Sequence, residues 1–175
     1  MIKRFKLLLL VLLLLSSIAA KRKGSGTISF YLGSAGSEAP KDTVKVNINS
    51  EIHQVLIKPI FNQKDLEAFY PFLTDEGKSF GISFKLKKKA VKELQTLSTV
   101  ARGRKIFTVF GNAPVDFVII DSPITHGYIT CWKGFNESHI EKFKGAGMRL
   151  ITPRNEGPVI NPPPVIDWSE LLLIN

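Results

Sequence analysis

A strand–helix–hairpin succession between residues 78 and 135 constrains the fold more than any other stretch of the sequence. The predicted elements are a strand, a helix, the two strands of a hairpin and a last strand, at residues 81–86, 88–102, 104–110, 115–121 and 128–132. Gly103 closes the helix, and residues 111–114 form the hairpin turn. This order matches the larger part of a split β-α-β unit. We therefore predict an α+β, ferredoxin-like fold with helices layered on a mostly antiparallel sheet.

The predicted helix at residues 88–102 has one apolar face. Its apolar residues follow the three- and four-residue spacing of a helix that lies on a sheet: Ala90, Val91, Leu94, Leu97 and Ala101. We expect Leu94 and the strand residue Phe117 to be core residues of one sheet-and-helix layer. Lysines crowd the start of this helix, where they oppose the helix dipole, and we interpret them as a solvated helix end.

An extra N-terminal region of strands precedes this unit. Residues 27–32 are rich in β-branched and aromatic side chains, which predicts a strand. Residues 43–48 alternate strictly, and residues 52–57 follow a turn near Asn49 and Ser50. These two segments are predicted to form a hairpin with one face buried.

Capping residues mark two further helix starts. Asn62 has an acid three residues later, the spacing of a capping box, and predicts a short helix that ends before the next proline. Asn136 begins a last helix that ends at Gly145 or Gly147. Residues 148–152 are predicted to return as the closing strand of the domain.

The N-terminus has the pattern of a secretory signal peptide. Residues 1–20 combine a basic start, an unbroken apolar run at residues 7–15, and small residues for cleavage after Ala19 or Ala20. The apolar run is shorter than the roughly 20 residues that a spanning helix needs. We predict an exported protein of the periplasm or cell envelope, with residues 21–26 as a flexible leader. An uncleaved form, tethered to the membrane by its N-terminus, stays open.

The composition changes again at residues 153–175, which form a proline-rich C-terminal tail. Three consecutive prolines at residues 162–164 exclude regular helix and predict an extended chain. The tail then becomes strongly apolar at residues 165–174, which include Trp168. Two interpretations stay open, because such a segment can pack back onto the domain or dock on a partner.

The chain is basic, with a formal net charge of +9. Residues 1–20 hold three of the 24 basic residues and none of the 15 acidic ones, so the mature chain carries 21 − 15, or +6. A basic exported surface could make weak contact with anionic lipid or wall polymer, although a solvated face explains the same charge. The compartment argues against nucleic acid as a partner.

The residues that carry chemistry are scattered in the sequence. Cys131, the single cysteine, cannot form an internal disulfide, and its apolar strand predicts a buried thiol. The histidines lie on different predicted elements, with no pair at an i, i+4 spacing: His53, His126 and His139. Asp116 and Asp121 are five residues apart on one predicted strand and so point to opposite faces. We assign no catalytic residue, cofactor or metal ligand and predict a non-catalytic protein; an exported hydrolase-type enzyme with a dispersed site is the alternative.

Several of these signals occur in the order of a known domain. The matching landmarks are residues 27–32, 59–68 and 82–86, Ala90, Gly103-Arg104, Ser122-Pro123-Ile124, Gly127 and Ile129. In order and spacing they resemble the first periplasmic (head) domain of SecD, part of the SecD/SecDF protein-export subunit. The resemblance covers most of residues 27–152, although each landmark alone is a strand, cap or turn signal.

The resemblance implies a fold, an envelope compartment and contact with unfolded polypeptide or an envelope protein. It carries over neither motor activity nor site residues, because the sequence predicts none of the family's membrane-spanning helices after Leu15. Residues 116–118 also replace the small-residue-plus-proline step of the family's second hairpin strand. If the resemblance extends to function, strand edges should pair with extended chains. The candidate edges are the hairpin at residues 43–57 and the strand at residues 128–132, with the lysines at residues 85–92 adding a salt-sensitive attraction to acidic chains.

Overall fold

The computed structural model describes residues 26–152. The predicted signal peptide, the leader up to residue 25 and the predicted tail at residues 153–175 lie outside the described residues. Neither α-helix of the described part has the length and apolar content needed to span a bilayer.

The described chain is built mostly from short strands. The strands are β1 (Ile28–Leu32), β2 (Thr43–Ile48), β3 (Glu51–Leu56), β4 (Phe61–Asn62), β5 (Leu66–Leu73), β6 (Phe80–Leu86), β7 (Lys105–Phe110), β8 (Ala113–Ile119), β9 (Tyr128–Phe135) and β10 (Arg149–Leu150). The helices are α1 (Lys88–Val100) and α2 (Glu137–Gly145). The α+β class and the predicted predominance of antiparallel pairing are confirmed.

The strands divide into two four-stranded sheets and a hairpin. Sheet A has the order β4-β1-β7-β8, and sheet B has the order β10-β5-β6-β9. Strands β2 and β3 pair with each other as a separate hairpin. In sheet B, β10 runs parallel to β5, whereas the other ladders of the described chain are antiparallel.

The main core lies where the inner faces of the two sheets meet. Phe30 of sheet A packs edge-on against Phe84 of sheet B, with ring centroids 5.6 Å apart. Helix α1 adds Leu94, which has no exposed surface, and α2 adds Ile140 and Phe143. Burial of a leucine-sized side chain is worth about 1.5–3 kcal/mol, so these contacts hold both sheets and both helices together.

A second, smaller core lies on the outer face of sheet A, which is covered by the β2–β3 hairpin. Ile48 and Val55 of the hairpin pack on Phe107 of β7. The hairpin turns at Asn49 and Ser50, whose φ angles are 54° and 67°. Positive φ at both central residues is the backbone of a type I′ turn, whose twist matches the flanking strands.

The ferredoxin-like arrangement predicted from the sequence is not confirmed. The strand–helix–strand unit β6–α1–β7 forms, but β6 belongs to sheet B and β7 belongs to sheet A. Both edges of β6 are already paired, with β5 on one side and β9 on the other. The helix therefore crosses from one sheet to the other instead of returning to the sheet it left.

The predicted short helix after Asn62 is wrong. The capping box does form, with the Asn62 side chain accepting from the Lys64 N–H and the Asp65 side chain accepting from the Asn62 N–H. It starts a single 3-10 turn, Gln63–Asp65, and β5 follows at once. The aromatic residues beyond it favour a strand, in which alternate side chains reach opposite faces.

Phe117 is not part of the main core, which corrects a second prediction. It lies on the outer face of sheet A, is half-buried, and packs against the smaller core beside Phe107 at a centroid distance of 5.4 Å. Its neighbour Val118 faces the main core instead. The period of two along a strand separates these adjacent residues, and the sequence pattern was assigned to the wrong face.

Candidate functional site

A groove opens between strands β8 and β9, the neighbouring edges of the two sheets. Its wall is formed by the end of β8 at residues 117–119, the connecting loop at residues 121–126, and the start of β9 at residues 128–132. Its volume is about 590 Å³. We call this feature the edge groove.

One end of the edge groove is closed by a direct contact between the two sheets. The Trp132 N–H donates a hydrogen bond of 2.7 Å to Oδ2 of Asp116, which is almost completely buried. Close by, a Cβ placed at Gly134 would overlap the side chain of Val115, so glycine allows β8 and β9 to approach here. Between this contact and the loop that joins them, residues of both strands line the groove, and the two strands do not pair in one sheet.

The backbone of β9 faces into the edge groove at alternate residues. The Gly127 carbonyl accepts from Leu86 and so points towards β6, whereas the Trp132 N–H points away from β6, to Asp116. The alternation of an antiparallel ladder then directs the N–H and C=O of Tyr128 and Thr130 into the groove. This is the edge of β9 that the sequence predicted at residues 128–132.

The backbone of β8 has the matching alternation on the opposite wall. The Ile120 N–H donates to the Arg104 carbonyl at 2.9 Å, on the side of β7. Phe117 and Ile119 therefore direct their backbone groups into the groove. Two strand edges with outward hydrogen-bonding groups thus face one another, an arrangement that suits an added extended chain.

The side chains of the groove are mostly apolar. Ile119 is 58% exposed and Trp132 is 42% exposed, which is high for residues of their size. The connecting loop of the groove is attached to α1, because the Ile124 N–H donates a hydrogen bond of 2.8 Å to Oγ of the buried Ser98. The groove is therefore a formed feature whose walls are held by the main core.

The polar residues of the groove do not form a nucleophile–base pair. The Ser122 hydroxyl donates to Oδ1 of Asp121 at 3.0 Å, and Nδ1 of His126 accepts from the Tyr128 N–H at 3.1 Å. With Nδ1 occupied as an acceptor, neutral His126 carries its proton on Nε2, so neither nitrogen is free to take a proton from a serine. Partial burial also lowers the pKa of His126, which favours the neutral ring.

The outer face of sheet B borders the groove at Trp132. Phe72 stacks on Tyr70, with centroids 6.3 Å apart, and meets Trp132 edge-on at 5.8 Å. Gly81 lies beneath these rings, and a Cβ there would overlap the ring of Phe72 and the carbonyl oxygen of Trp132. We call Tyr70, Phe72 and Trp132 the aromatic face.

The predicted buried thiol is confirmed. Cys131 lies in the main core on the inner side of β9, with no exposed surface. Burial first, and then the nearby carboxylate of Asp116, raise the pKa of the Cys131 thiol well above its ordinary value. The thiol is therefore neutral at physiological pH and a poor nucleophile.

The structure does not bring the three histidines together into one site. His53 lies between the rings of Phe107 and Phe117, each 5.3 Å away, under the hairpin. His139 is part of the cap of α2, and its N–H donates to Oδ1 of Asn136. Within residues 26–152, no group of three or more histidine, cysteine or acidic side chains is placed to hold a metal ion.

The second predicted edge, the hairpin at residues 43–57, is already partly paired. The Ser34 N–H donates to the Gln54 carbonyl at 2.8 Å, and Gly33 forms a β-bridge with Val55. The β3 side of this hairpin is therefore partly used by the chain itself. None of the predicted lysines lines the groove, although Lys85 of β6 is the cross-strand neighbour of Tyr128, which does.

Sequence reasoning missed two parts of the edge groove. It considered Asp116 only for a carboxylate pair with Asp121, which it rejected, whereas in the structure Asp116 accepts a hydrogen bond from a backbone N–H of the other sheet. It also did not pair the end of β8 with β9. One signal was available, because a lone acid in the middle of an apolar strand must find a donor when it is buried.

No family model matches this chain, and no curated protein matches it. Similar solved structures include two that each cover 67% of its length. One is of the membrane component SecDF, which enhances protein export, with 12% identity and a TM-score of 0.48; the other is of SecDF in a super-membrane-facing form, with 14% identity and a TM-score of 0.47. Both structures are of the protein-export component whose head domain the sequence landmarks resemble.

The chain corresponds to only part of those proteins. The matched region spans 60% of the first SecDF chain and 18% of the second.

Proposed function

We propose that this protein is an exported, non-catalytic binding module of the cell envelope that holds extended, partly apolar polypeptide in the edge groove. The observation that carries the proposal is the pair of strand edges, β8 and β9, whose alternating backbone groups face one another across an apolar groove. Main-chain hydrogen bonds to such edges place little demand on the sequence of the bound chain.

The side chains of the groove set the kind of segment that would fit. Ile119 and Trp132 offer exposed apolar surface, whereas Asp121 is the charged group of the wall and His126 is held neutral. Apolar segments, or segments with a basic residue near Asp121, are therefore favoured over strongly acidic ones. Exported chains are unfolded as they emerge, which ties the proposal to protein export.

The alternative of an exported hydrolase receives less support from the same residues. The Ser122 hydroxyl donates its hydrogen bond to the Asp121 carboxylate. Nδ1 of His126, which a general base would need free, accepts a hydrogen bond from a backbone N–H. The thiol of Cys131 is buried and neutral. Binding without chemistry is what these side chains support best.

The test is a titration of the mature chain with a reduced, unfolded model protein and with the folded form of the same protein. The unfolded form should bind, and the folded form should not. Equal binding to both forms, or no binding to either, would overturn the proposal.

A matched pair of variants at Thr130 separates strand pairing from general stickiness. Thr130→Pro removes an N–H that faces the groove and leaves the β6 side of the strand intact, since proline is tolerated where the N–H points away from the sheet. It also removes the hydroxyl contact with Ser83 (2.8 Å), and Thr130→Val removes that contact while keeping the N–H. We expect the proline variant to weaken binding by about tenfold, or about 1.4 kcal/mol, and the valine variant to bind like the parent.

A further inference from the structure

We infer that the apolar C-terminal segment of this chain, residues 165–174, docks on the aromatic face of sheet B. On the other sheet, sheet A, an aromatic outer surface is covered by another part of the chain. There Tyr31, Phe107 and Phe117 form a row across three strands, and the hairpin packs over them. On sheet B, Trp132 stays 42% exposed.

A small cleft beside the aromatic face is suited to one aromatic side chain. It lies between the Phe72–Trp132 pair and the β5–β6 turn, and its volume is about 220 Å³. That is below the roughly 300–1,000 Å³ of sites for drug-sized ligands. Asp75 and Ser79 on its rim can accept the indole N–H of a tryptophan, which needs a partner when buried.

The described chain ends close to this surface and points towards it. Strand β10 runs parallel to β5, with Leu150 opposite Phe69, and the Ile151 N–H donates to the Phe69 carbonyl at 2.8 Å. The chain therefore leaves sheet B in the direction in which β5 continues to Phe72. Strand β9 lies three strand positions from β10, about 14 Å at the usual spacing.

The intervening residues are long enough to reach. Residues 153–164 contain twelve residues, including the three consecutive prolines. At the rise of an extended proline-rich chain they span up to about 37 Å, more than the width of the sheet. Residues 165–174 can therefore reach any part of the aromatic face without disturbing the fold.

The segment is apolar, as an occupant of the aromatic face would have to be. It contains Trp168 and a run of leucines, which are unfavourable in water as an exposed patch. Residues 153–175 carry one basic and three acidic residues, or −2, and residues 26–152 carry 17 − 12, or +5, so the attraction is to the domain as a whole; the cleft itself is lined by Asp75, Glu76 and Lys133 and adds none. Covering Trp132, which borders the edge groove, would make the segment an internal competitor of bound polypeptide. That last consequence rests on the proposed function, whereas the docking does not.

The two tryptophans of the chain allow a direct test on the full mature protein. Trp132→Phe leaves Trp168 as the reporter, and Trp168→Phe leaves Trp132. In the first variant, Trp168 should have blue-shifted emission and be protected from acrylamide. Solvent-like emission and free quenching would overturn the inference.

Charges placed in the segment show where it docks. Leu172→Asp with Leu173→Asp, in the Trp168→Phe background, should raise the quenching of Trp132 by about twofold, since docking no longer covers the indole. The matched control is Asn155→Asp with Asn161→Asp, which adds the same charge outside the apolar segment and should change nothing. Protected Trp168 with unchanged Trp132 would mean that the segment docks elsewhere and would overturn the site.

Dilution and polypeptide titration complete the test. Protection of Trp168 should survive a dilution of about 100-fold if the contact is within one chain, and its loss would show docking between two copies instead. The Leu172→Asp, Leu173→Asp variant should bind unfolded polypeptide more tightly than the parent. If neither binds, the proposed function fails, while the fluorescence still decides the docking.

Discussion

The outer faces of the two sheets carry similar aromatic residues but are treated differently. On sheet A, Phe107 is 1% exposed because the β2–β3 hairpin covers it, and Ile48, Val55 and His53 complete the small core there. On sheet B, Phe72 and Trp132 form an equivalent aromatic contact that the described residues leave partly exposed. A separate hairpin therefore covers the outer face of sheet A, whereas the described residues leave the outer face of sheet B partly exposed.

This difference separates a face that is buried in a core from a face that stays partly exposed among the described residues. Sheets with an aromatic outer face expose more apolar surface than a soluble protein usually tolerates, unless the surface meets something. The hairpin meets that need on sheet A. On sheet B, the edge groove and the aromatic face meet at Trp132, and no other described element covers that residue as the hairpin covers Phe107.

The largest effect is expected from truncation on the covered face. Phe107→Ala should lower the free energy of unfolding by about 3–5 kcal/mol, because it empties the contact between sheet A and the hairpin. Phe72→Ala, the matched change on the open face, should cost about 1–2 kcal/mol, since its ring is already partly in solvent. Urea denaturation measures both, and equal losses would break the comparison of the two faces.

A second prediction concerns the core that both sheets share. Leu94→Ala should cost about 2–5 kcal/mol, because its fully buried side chain fixes α1 between the sheets. Ile52→Ala, at a residue of β3 that is 70% exposed, should stay within about 0.5 kcal/mol. A midpoint for Leu94→Ala close to that of the parent would mean that α1 contributes little to the core.

The hairpin turn offers a smaller change in the opposite direction. Ser50→Gly should stabilise the protein by about 0.5–1 kcal/mol, because Ser50 holds a positive φ that costs an L-residue about 1–2 kcal/mol. Ser50→Ala keeps the Cβ and should bring no gain. Thermal unfolding of the two variants side by side checks the prediction, and a gain from alanine would point to the hydroxyl instead of the backbone.

The loop that leads into the hairpin should add a modest pH dependence to the covered face. The pKa of Glu38 is lowered, first by the hydrogen bond from Ser34 Oγ and then by its own N–H, the Ala35 N–H and Arg104, which together outweigh the opposing effect of burial. A lowered folded-state pKa stabilises the fold above the ordinary glutamate value and loses that contribution as the pH falls through the folded-state value.

The matching variant makes the pH effect measurable. Between about pH 6 and about pH 3, the denaturation midpoint of the parent should fall more than that of Glu38→Gln, which has no proton to gain. Parallel curves for the two proteins would show that Glu38 makes no net contribution to the pH dependence.

Local signals in the sequence predicted local structure well. The strand at β1, the hairpin with its turn at Asn49 and Ser50, helix α1 and the Asn136 cap all form where the patterns indicate. The capping box at Asn62 also forms, but a cap specifies where a helix can begin and not how far it continues. The alternating aromatic residues that follow the capping box favour a strand over a helix.

The division of strands between sheets could not be predicted in the same way. Strand β7 cannot pair beside β6, because β5 and β9 already occupy the two edges of β6. The pairing of β6 with β9 joins distant parts of the chain, so no local pattern predicts it. For the candidate site, residues 128–132 were predicted as a strand edge, whereas the facing wall at Phe117 and Ile119 was not. A groove between two sheets has no pattern of its own in the sequence, because each wall belongs to a different ladder.

The buried hydrogen bond between Asp116 and Trp132 decides between two architectures. Strands β8 and β9 are the edges at which the sheets would join, and joining them would begin to close the strands into a barrel. Asp116 takes a main-chain donor that such a seam would need, and a carboxylate stripped of that donor would be costly to leave buried. One acidic side chain therefore occupies a main-chain donor that direct pairing of β8 with β9 would need, and in the described residues the two sheets stay separate at this edge.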